Sequence, residues 1–148
     1  MSEPTAPPPQ GRYVAAVVHG DTVHSAGMTP RRADGVLLVT GRVGADVGED
    51  EAAEAAGVAV RHALAACADA AARAGRELRR PVALSVWVAC TAAFTGHSAV
   101  ADGASGVLAD RFGPGGLPAR AAVGVCSLPG GAPVEVTLVV GLDPVRSR

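Results

Sequence analysis

Aromatic side chains are scarce in this chain of 148 residues, which contains one Trp, one Tyr and two Phe. Basic residues are not in excess either, because 13 Lys and Arg stand against 14 Asp and Glu for a formal net charge of −1. Nucleic-acid binding usually depends on a basic patch and, for single strands, on aromatic rings that stack on bases. Both shortages argue against a nucleic acid as the partner. They also mean that Ala, Val and Leu must fill the core.

Cysteine is sparse and irregularly spaced. Cys67, Cys90 and Cys126 form no CxxC pair and are odd in number, which argues against a zinc site or a disulfide framework. Each cysteine sits among apolar neighbours, a pattern typical of a buried free thiol. His19 and His24 flank a predicted turn, but no third metal ligand is close to them in sequence. We therefore predict no metal site.

Long hydrophobic runs are also missing. No stretch is apolar over the length needed to span a membrane, and the N-terminus lacks the charged and then apolar pattern of a signal peptide. The sequence therefore predicts a cytoplasmic protein with no membrane partner.

What the chain does contain is 49% hydrophobic and 18% charged residues, a balance typical of one globular domain. Residues 1–11 are rich in proline and have no periodicity, which predicts a flexible arm outside the fold. We place a single domain over residues 12–143 and a short tail over 144–148.

Hydrophobic periodicity predicts the element order β-β-β-α-β-α-β-β. The predicted elements are a hairpin around Gly20 and Asp21, a third strand over 36–44, a helix over 49–74, a strand over 81–90, a weaker helix over 97–113, and strands over 118–128 and 132–140. Strands with two interspersed helices favour an α+β fold in which one mixed sheet carries both helices on one face. The uncovered face would still carry Val-rich strands, which predicts an oligomer.

The helix over 49–74 has the strongest pattern. Acidic residues occupy its first turn, where they favour the helix dipole, and Gly75 follows its last periodic residue as a stop. Gly57 lies inside the helix at a cost of roughly 1 kcal/mol relative to Ala, which suggests a close packing contact there. Its apolar residues recur at three-to-four spacing: Ala53, Ala56, Val60, Leu64, Cys67 and Ala71.

Two charges interrupt the last two apolar strands, Arg120 and Glu135. Because a short Pro/Gly turn joins those strands, we expect the two side chains to be neighbours near one end of the sheet. They can be interpreted as a structural ion pair. Alternatively, the rigid fork of an arginine suits a ligand carboxylate, and a nearby glutamate can hold and activate a water molecule.

The motifs "GRYVAA", "SAGMTP", "DGVLLVTG", "ARAGREL" and "PAR…LP…VE" follow one another between Gly11 and Val140. In this order they resemble the Rid family, the YjgF-type reactive intermediate deaminases. The resemblance implies a chorismate-mutase-like mixed sheet backed by two helices, a homotrimer, and ligand sites between subunits. It further implies hydrolysis of enamines and imines such as 2-aminoacrylate to a 2-oxo acid and ammonia, with no cofactor.

The resemblance also assigns roles to residues. Arg120 matches the arginine that binds the substrate carboxylate, Glu135 matches the glutamate that positions the attacking water, and Tyr13 matches a tyrosine that lines the cleft. The implied partner is therefore a small ligand that bears a carboxylate.

Three further matching positions depart from the family pattern. Ala26 stands where the family often has a serine, Ser105 is the nearest match to its asparagine, and Ala122 replaces a small polar residue or cysteine. A less polar cleft and an altered substrate are the expected consequence. The alternatives are a non-catalytic trimeric ligand-binding paralogue, a partner in a biosynthetic complex, or a different reaction on a carboxylate ligand.

Overall fold

One mixed sheet of five strands carries two helices on a single face in a computed structural model that describes residues 6–145. The strands are β1 (Ala16–His19), β2 (Thr22–Ser25), β3 (Leu78–Ala89), β4 (Ala119–Val125) and β5 (Val134–Leu142), and the helices are α1 (Glu49–Arg73) and α2 (His97–Phe112). Short 3-10 turns cover Pro114–Gly116 and Pro129–Gly131. The predicted α+β class with a mixed sheet backed by two helices is confirmed.

The strand order across the sheet is β1-β2-β5-β3-β4. β1 and β2 form the predicted hairpin, in which Gly20 takes the left-handed conformation that a tight turn requires, at a φ of 61°. β5 pairs antiparallel with both β2 and β3, whereas β4 pairs parallel with β3. A parallel pair needs a crossover connection, and α2 supplies it.

The core lies between the sheet and the two helices. Alternate residues of β3 and β5 are fully or almost fully buried there, including Leu84, Val86 and Leu138. Small residues bring α1 and α2 close together. A side chain at Gly57 would meet the Gly103 carbonyl oxygen at 3.2 Å, and one at Gly103 would overlap the Ala53 carbonyl. The close packing contact predicted at Gly57 is therefore present.

The predicted third strand over 36–44 is wrong. This segment contributes only isolated bridges, such as the one between Val43 and Cys90. Gly41 and Gly44 adopt φ values of 125° and 93°, which interrupt the extended backbone that a strand needs. Val36 is half exposed, so its apolar character does not reflect burial in the sheet.

The three cysteines are free, but they differ in environment. Cys67 is buried inside α1, and burial raises the pKa of its thiol to about 12. Cys90 is also buried, with its Sγ 3.5 Å from Nε2 of His97. Cys126 is exposed, so the expectation that all three are buried thiols is wrong at this position. It lies at the end of an edge strand, where the sheet no longer covers it.

The N-terminal segment lies against the domain as far as the structure describes it. Ala6 is partly buried against the core, and the backbone N–H of Gln10 donates to Oη of Tyr13 at 3.1 Å. The flexible arm over residues 1–11 stays a prediction. Residues 1–5 and 146–148 lie outside the described part of the chain.

Within residues 6–145, neither helix combines the length and the apolar character needed to cross a membrane.

Candidate functional site

Arg120 projects from β4 toward the helix layer. It stands opposite Leu84 of β3, a core residue that faces the helices. Its guanidinium reaches three side chains of α2: Nη1 donates to Asp102 Oδ1 at 2.7 Å and to Ser105 Oγ at 3.0 Å, and Nη2 donates to Ser98 Oγ at 2.7 Å. Nη2 is also 3.4 Å from the Ser98 carbonyl oxygen. Arg120 is thus tied to α2 by four contacts.

The structure places Arg120, Ser105 and Ala122 on the same side of the sheet, and Arg120 contacts Ser105 directly. Ala122 lies two residues along β4 from Arg120, so both face the helix layer. Sequence reasoning missed Asp102 and Ser98. Their positions carried a signal, because Ser98, Asp102 and Ser105 follow one another at spacings of four and three and therefore share one face of a helix.

Glu135 lies on the other face of the sheet, which the helices do not cover. It pairs across β5 and β3 with Trp87, while the buried residues on either side of it, Val134 and Val136, face the core. Its carboxylate makes no hydrogen bond or ion pair with the described residues. Burial raises the pKa of Glu135 above its usual value, because desolvation disfavours the charged form.

A glycine makes room for this carboxylate. A side chain at Gly27 would overlap Oε1 of Glu135, so the two residues are in direct contact. Gly27 sits in a one-residue bulge: between the His24–Val139 pair and the Met28–Val136 bridge, three residues of one segment face two of the other. The bulge turns the backbone around Gly27 toward Glu135.

Tyr13 and Ala26 lie beside the bulge at Gly27, which contacts Glu135. The Ala26 N–H donates to the Ala15 carbonyl at 2.8 Å, which fixes the bulge against the segment that follows Tyr13. Tyr13, half exposed, and Gly27 both line a small cavity of about 30 Å³ beside the N-terminal segment. Ser25 does not replace the missing serine, since its Oγ accepts the Leu138 N–H at 3.0 Å.

The expected contact between Arg120 and Glu135 is absent within one chain. β3 separates β4 from β5, so the two strands do not form a hairpin although they are consecutive in sequence. Arg120 is in register with Leu84 and Glu135 with Trp87, three residues further along β3, which places the two side chains on opposite faces. The interpretation as an ion pair that holds a hairpin within one chain is therefore wrong, whereas an ion pair across a contact between subunits stays a prediction.

The uncovered face of the sheet is mixed, because apolar residues lie there beside polar ones such as His24, Ser85 and Thr137. Trp87 lies in one row with Glu135 and Val123, and a second row runs from Val17 across the sheet to Ala119. Val17 and Val123 are 52% and 45% exposed. By contrast, Val86 and Val88 are fully buried under the helices. Within this part of β3, Trp87 and not its two neighbouring valines is therefore available for a contact between subunits.

The five-stranded mixed sheet with two helices on one face is the fold of the YjgF-type proteins. The chain matches the family model described as Endoribonuclease L-PSP over residues 3–141, and it belongs to this family, the YjgF/Rid family.

Individual relatives agree with this assignment. The chain is 36% identical over 141 residues to Protein TCP17 of Trypanosoma cruzi, which covers 95% of this chain and 87% of that protein. It is 34% identical to Atu1372 of Agrobacterium tumefaciens, a protein described as of unknown function, with a TM-score of 0.84 over 97% of this chain and 87% of that one. A candidate endoribonuclease of Shewanella oneidensis shares the fold, with 24% identity and a TM-score of 0.86 over 95% of this chain and 92% of that one.

Proposed function

We propose that this protein is a cytoplasmic homotrimer that hydrolyses enamines and imines to a carbonyl compound and ammonia in clefts between its subunits. The observation that carries the proposal is the state of Glu135: a half-buried carboxylate with a raised pKa, free of partners among the described residues and lodged against Gly27. A carboxyl group whose pKa is moved toward neutrality suits general acid–base catalysis.

Hydrolysis of an imine needs little activation of the substrate by the protein. Water adds to the C=N carbon, a C–O bond forms, and the π electrons move to nitrogen, which takes up a proton. Loss of ammonia then breaks the C–N bond and leaves a carbonyl group. In this proposal Glu135 orients the water, accepts its proton and returns it to the departing nitrogen. Because an imine carbon is already electrophilic, orientation and proton transfer supply most of the acceleration.

The cleft is proposed to be completed by a second copy of the chain. One half would hold Glu135, Tyr13 and Ala26, and the other half would hold Arg120 with Ser105 and Ala122. The two halves lie on opposite faces of one sheet and cannot act on one small ligand within a single chain. β4 is an edge strand, so the Arg120 half is positioned where the uncovered sheet face of a neighbour can approach.

A trimer is the expected assembly, because a monomer would leave Trp87, Val17 and Val123 of the uncovered sheet face in contact with water. Light scattering at micromolar concentration should give three times the chain mass of 14.6 kDa. Val123→Asp would place a charge on the exposed part of that face and should shift the mass toward one chain. Val36→Asp, a matched change at an equally exposed valine in the loop, should leave the trimer intact. A wild-type mass of one chain would contradict the proposed assembly.

RNA cleavage, which the family model's description and that of the Shewanella protein suggest, is not the function proposed for this chain. The net charge of −1 offers no general attraction for phosphates, and one Trp, one Tyr and two Phe offer few platforms for base stacking.

A non-catalytic ligand-binding role is the second candidate. Ala26 and Ala122 favour it, because both replace polar groups that the family uses in the cleft, whereas the free carboxylate of Glu135 favours the enzyme.

Ammonia release from imines generated in place tests the function directly. The wild-type protein should accelerate the hydrolysis of at least one member of a panel that includes 2-aminoacrylate, 2-iminopropanoate and uncharged imines. Catalysis by positioned acid–base groups is typically worth about a hundredfold or more, well above the uncatalysed background. If every imine in the panel decays at the rate seen without protein, the hydrolase proposal fails and the binding role gains support.

A further inference from the structure

The hydrogen-bond donors of Arg120 are almost fully occupied inside the chain. A guanidinium has five N–H groups, two on each Nη and one on Nε. The two on Nη1 meet Asp102 Oδ1 and Ser105 Oγ, and the two on Nη2 meet Ser98 Oγ and, more weakly, the Ser98 carbonyl. Only Nε–H is left. Bidentate binding of a carboxylate needs two parallel N–H groups, and Arg120 has no such pair free.

Asp102 also cancels the charge that would attract an anion. Its Oδ1 lies 2.7 Å from Nη1 of Arg120, within salt-bridge distance. The arginine and the aspartate together carry no net charge, and a neighbouring Glu135 would add a negative one. An anionic ligand would therefore enter a cleft that is neutral or negative, which is unfavourable.

A ligand carboxylate cannot easily displace Asp102. The side chain of Asp102 is held on α2, directly above β4, so its carboxylate is present at the guanidinium at high effective concentration. A dissolved carboxylate pays the full entropy of association, whereas Asp102 does not. Because the side chain of Asp102 is 69% exposed, its ion pair with Arg120 contributes little to stability. Asp102 nevertheless competes better than a dissolved carboxylate for the guanidinium of Arg120.

We infer that Asp102 determines specificity in this site by acting as a built-in carboxylate on Arg120, so that the protein takes imines and enamines without a carboxylate group, neutral or cationic. The inference rests on the proposed function and names its substrate class. It revises the carboxylate-bearing ligand expected from the family resemblance. Ala26 and Ala122 fit such ligands, because methyl groups favour apolar over anionic contacts.

Binding of two small probes tests the inference without relying on turnover. Propionate and propionamide have nearly the same shape and differ in charge. The wild-type protein should bind propionate no more tightly than propionamide. Asp102→Ala should tighten propionate by about tenfold or more, the range expected when charge-assisted hydrogen bonds become available, and leave propionamide nearly unchanged. Asp110→Ala removes the same charge from an exposed position on α2 and should change neither.

Turnover supplies the second readout. The kcat/KM ratio of 2-iminopropanoate to 2-iminopropanamide should be below one for the wild type and should rise by a similar factor in Asp102→Ala. Thermal melting confirms that each variant is folded. If Asp102→Ala is not, Asp102→Asn replaces it, with a smaller expected gain in propionate affinity, because the amide removes the charge but keeps one acceptor for Arg120.

The outcomes separate the two proposals. Strong preference of the wild type for propionate, or weaker propionate binding in Asp102→Ala, would overturn the specificity inference even if imines are hydrolysed. If no imine is hydrolysed but propionate binding responds to Asp102→Ala as expected, the hydrolase proposal fails while the assignment of Asp102 as the carboxylate that blocks Arg120 holds.

Discussion

Glu135→Gln should reduce ammonia release from the best imine substrate by at least about a hundredfold while the trimer and much of the ligand affinity survive. The amide keeps the shape of the carboxyl group against Gly27 but cannot accept a proton from water. The measurement is single-turnover ammonia release together with ligand titration on the same preparation. Glu54→Gln, the same chemical change at an exposed site on α1, should leave both readouts at the wild-type level.

The stability of Glu135→Gln gives an independent check with a defined sign. Burial raises the folded-state pKa of Glu135 above the ordinary value of 4.5, so the folded protein carries a desolvation cost wherever the carboxyl group is ionised. That cost is present above the raised pKa and disappears below the unfolded value. The variant should therefore melt at or above the wild-type temperature at pH 7, and the difference should fade as the pH drops below about 4.5.

Each other role for Glu135 predicts a different result. Full ammonia-releasing activity in Glu135→Gln would refute the mechanism. A change confined to affinity, with no turnover in either protein, would support the ligand-binding role. A large loss of melting temperature at pH 7 would mean that Glu135 has a stabilising partner in the assembled protein.

Gly103→Ala should lower the free energy of unfolding by about 1–3 kcal/mol or more, the usual cost of overpacking a core. A Cβ at this position would overlap the carbonyl carbon and oxygen of Ala53, which belong to the backbone of α1 and cannot rotate away. The helices would have to separate, and contacts that α2 makes with β4, including those to Arg120, would weaken with them.

Gly106→Ala is the matched control, because it makes the same change in the same helix at a position where, apart from its own stretch of helix, none of the described residues comes within 4 Å of the added Cβ. It should raise the free energy of unfolding by about 0.5–1 kcal/mol through helix propensity alone. Urea unfolding of both variants measures the difference. Equal stability of Gly103→Ala and Gly106→Ala would show that the two helices are not in the close contact described above.

The sequence indicates several residues of this site but not the contacts between them. The positions of Arg120 and Glu135 attract attention because charges are rare in the last two strands, and the spacing of Ser98, Asp102 and Ser105 places them on one helical face. The contacts of Arg120 with Ser98 and Asp102 were not predictable. Asp102 and Ser98 contact Arg120 only because α2 crosses from β3 to β4 and lies over the parallel pair.

The sequence by itself determined the elements with strong local patterns. The extent of α1, the β1–β2 hairpin and the alternating burial along β5 all follow from periodicity and turn residues within a few positions of each other. The strand predicted over 36–44 is wrong because an apolar run with two glycines is compatible with a strand until its backbone angles are known.

Only the tertiary structure decided the order of the strands and therefore the two halves of the candidate site. Alternation along a strand divides its side chains between two faces, but it does not say which strand lies next to it. The insertion of β3 between β4 and β5 rests on hydrogen bonds between residues 36 to 64 positions apart in sequence, which no local pattern encodes. Those pairings separate Arg120 from Glu135, join Arg120 to Asp102 and leave Glu135 on the face that a second copy would cover.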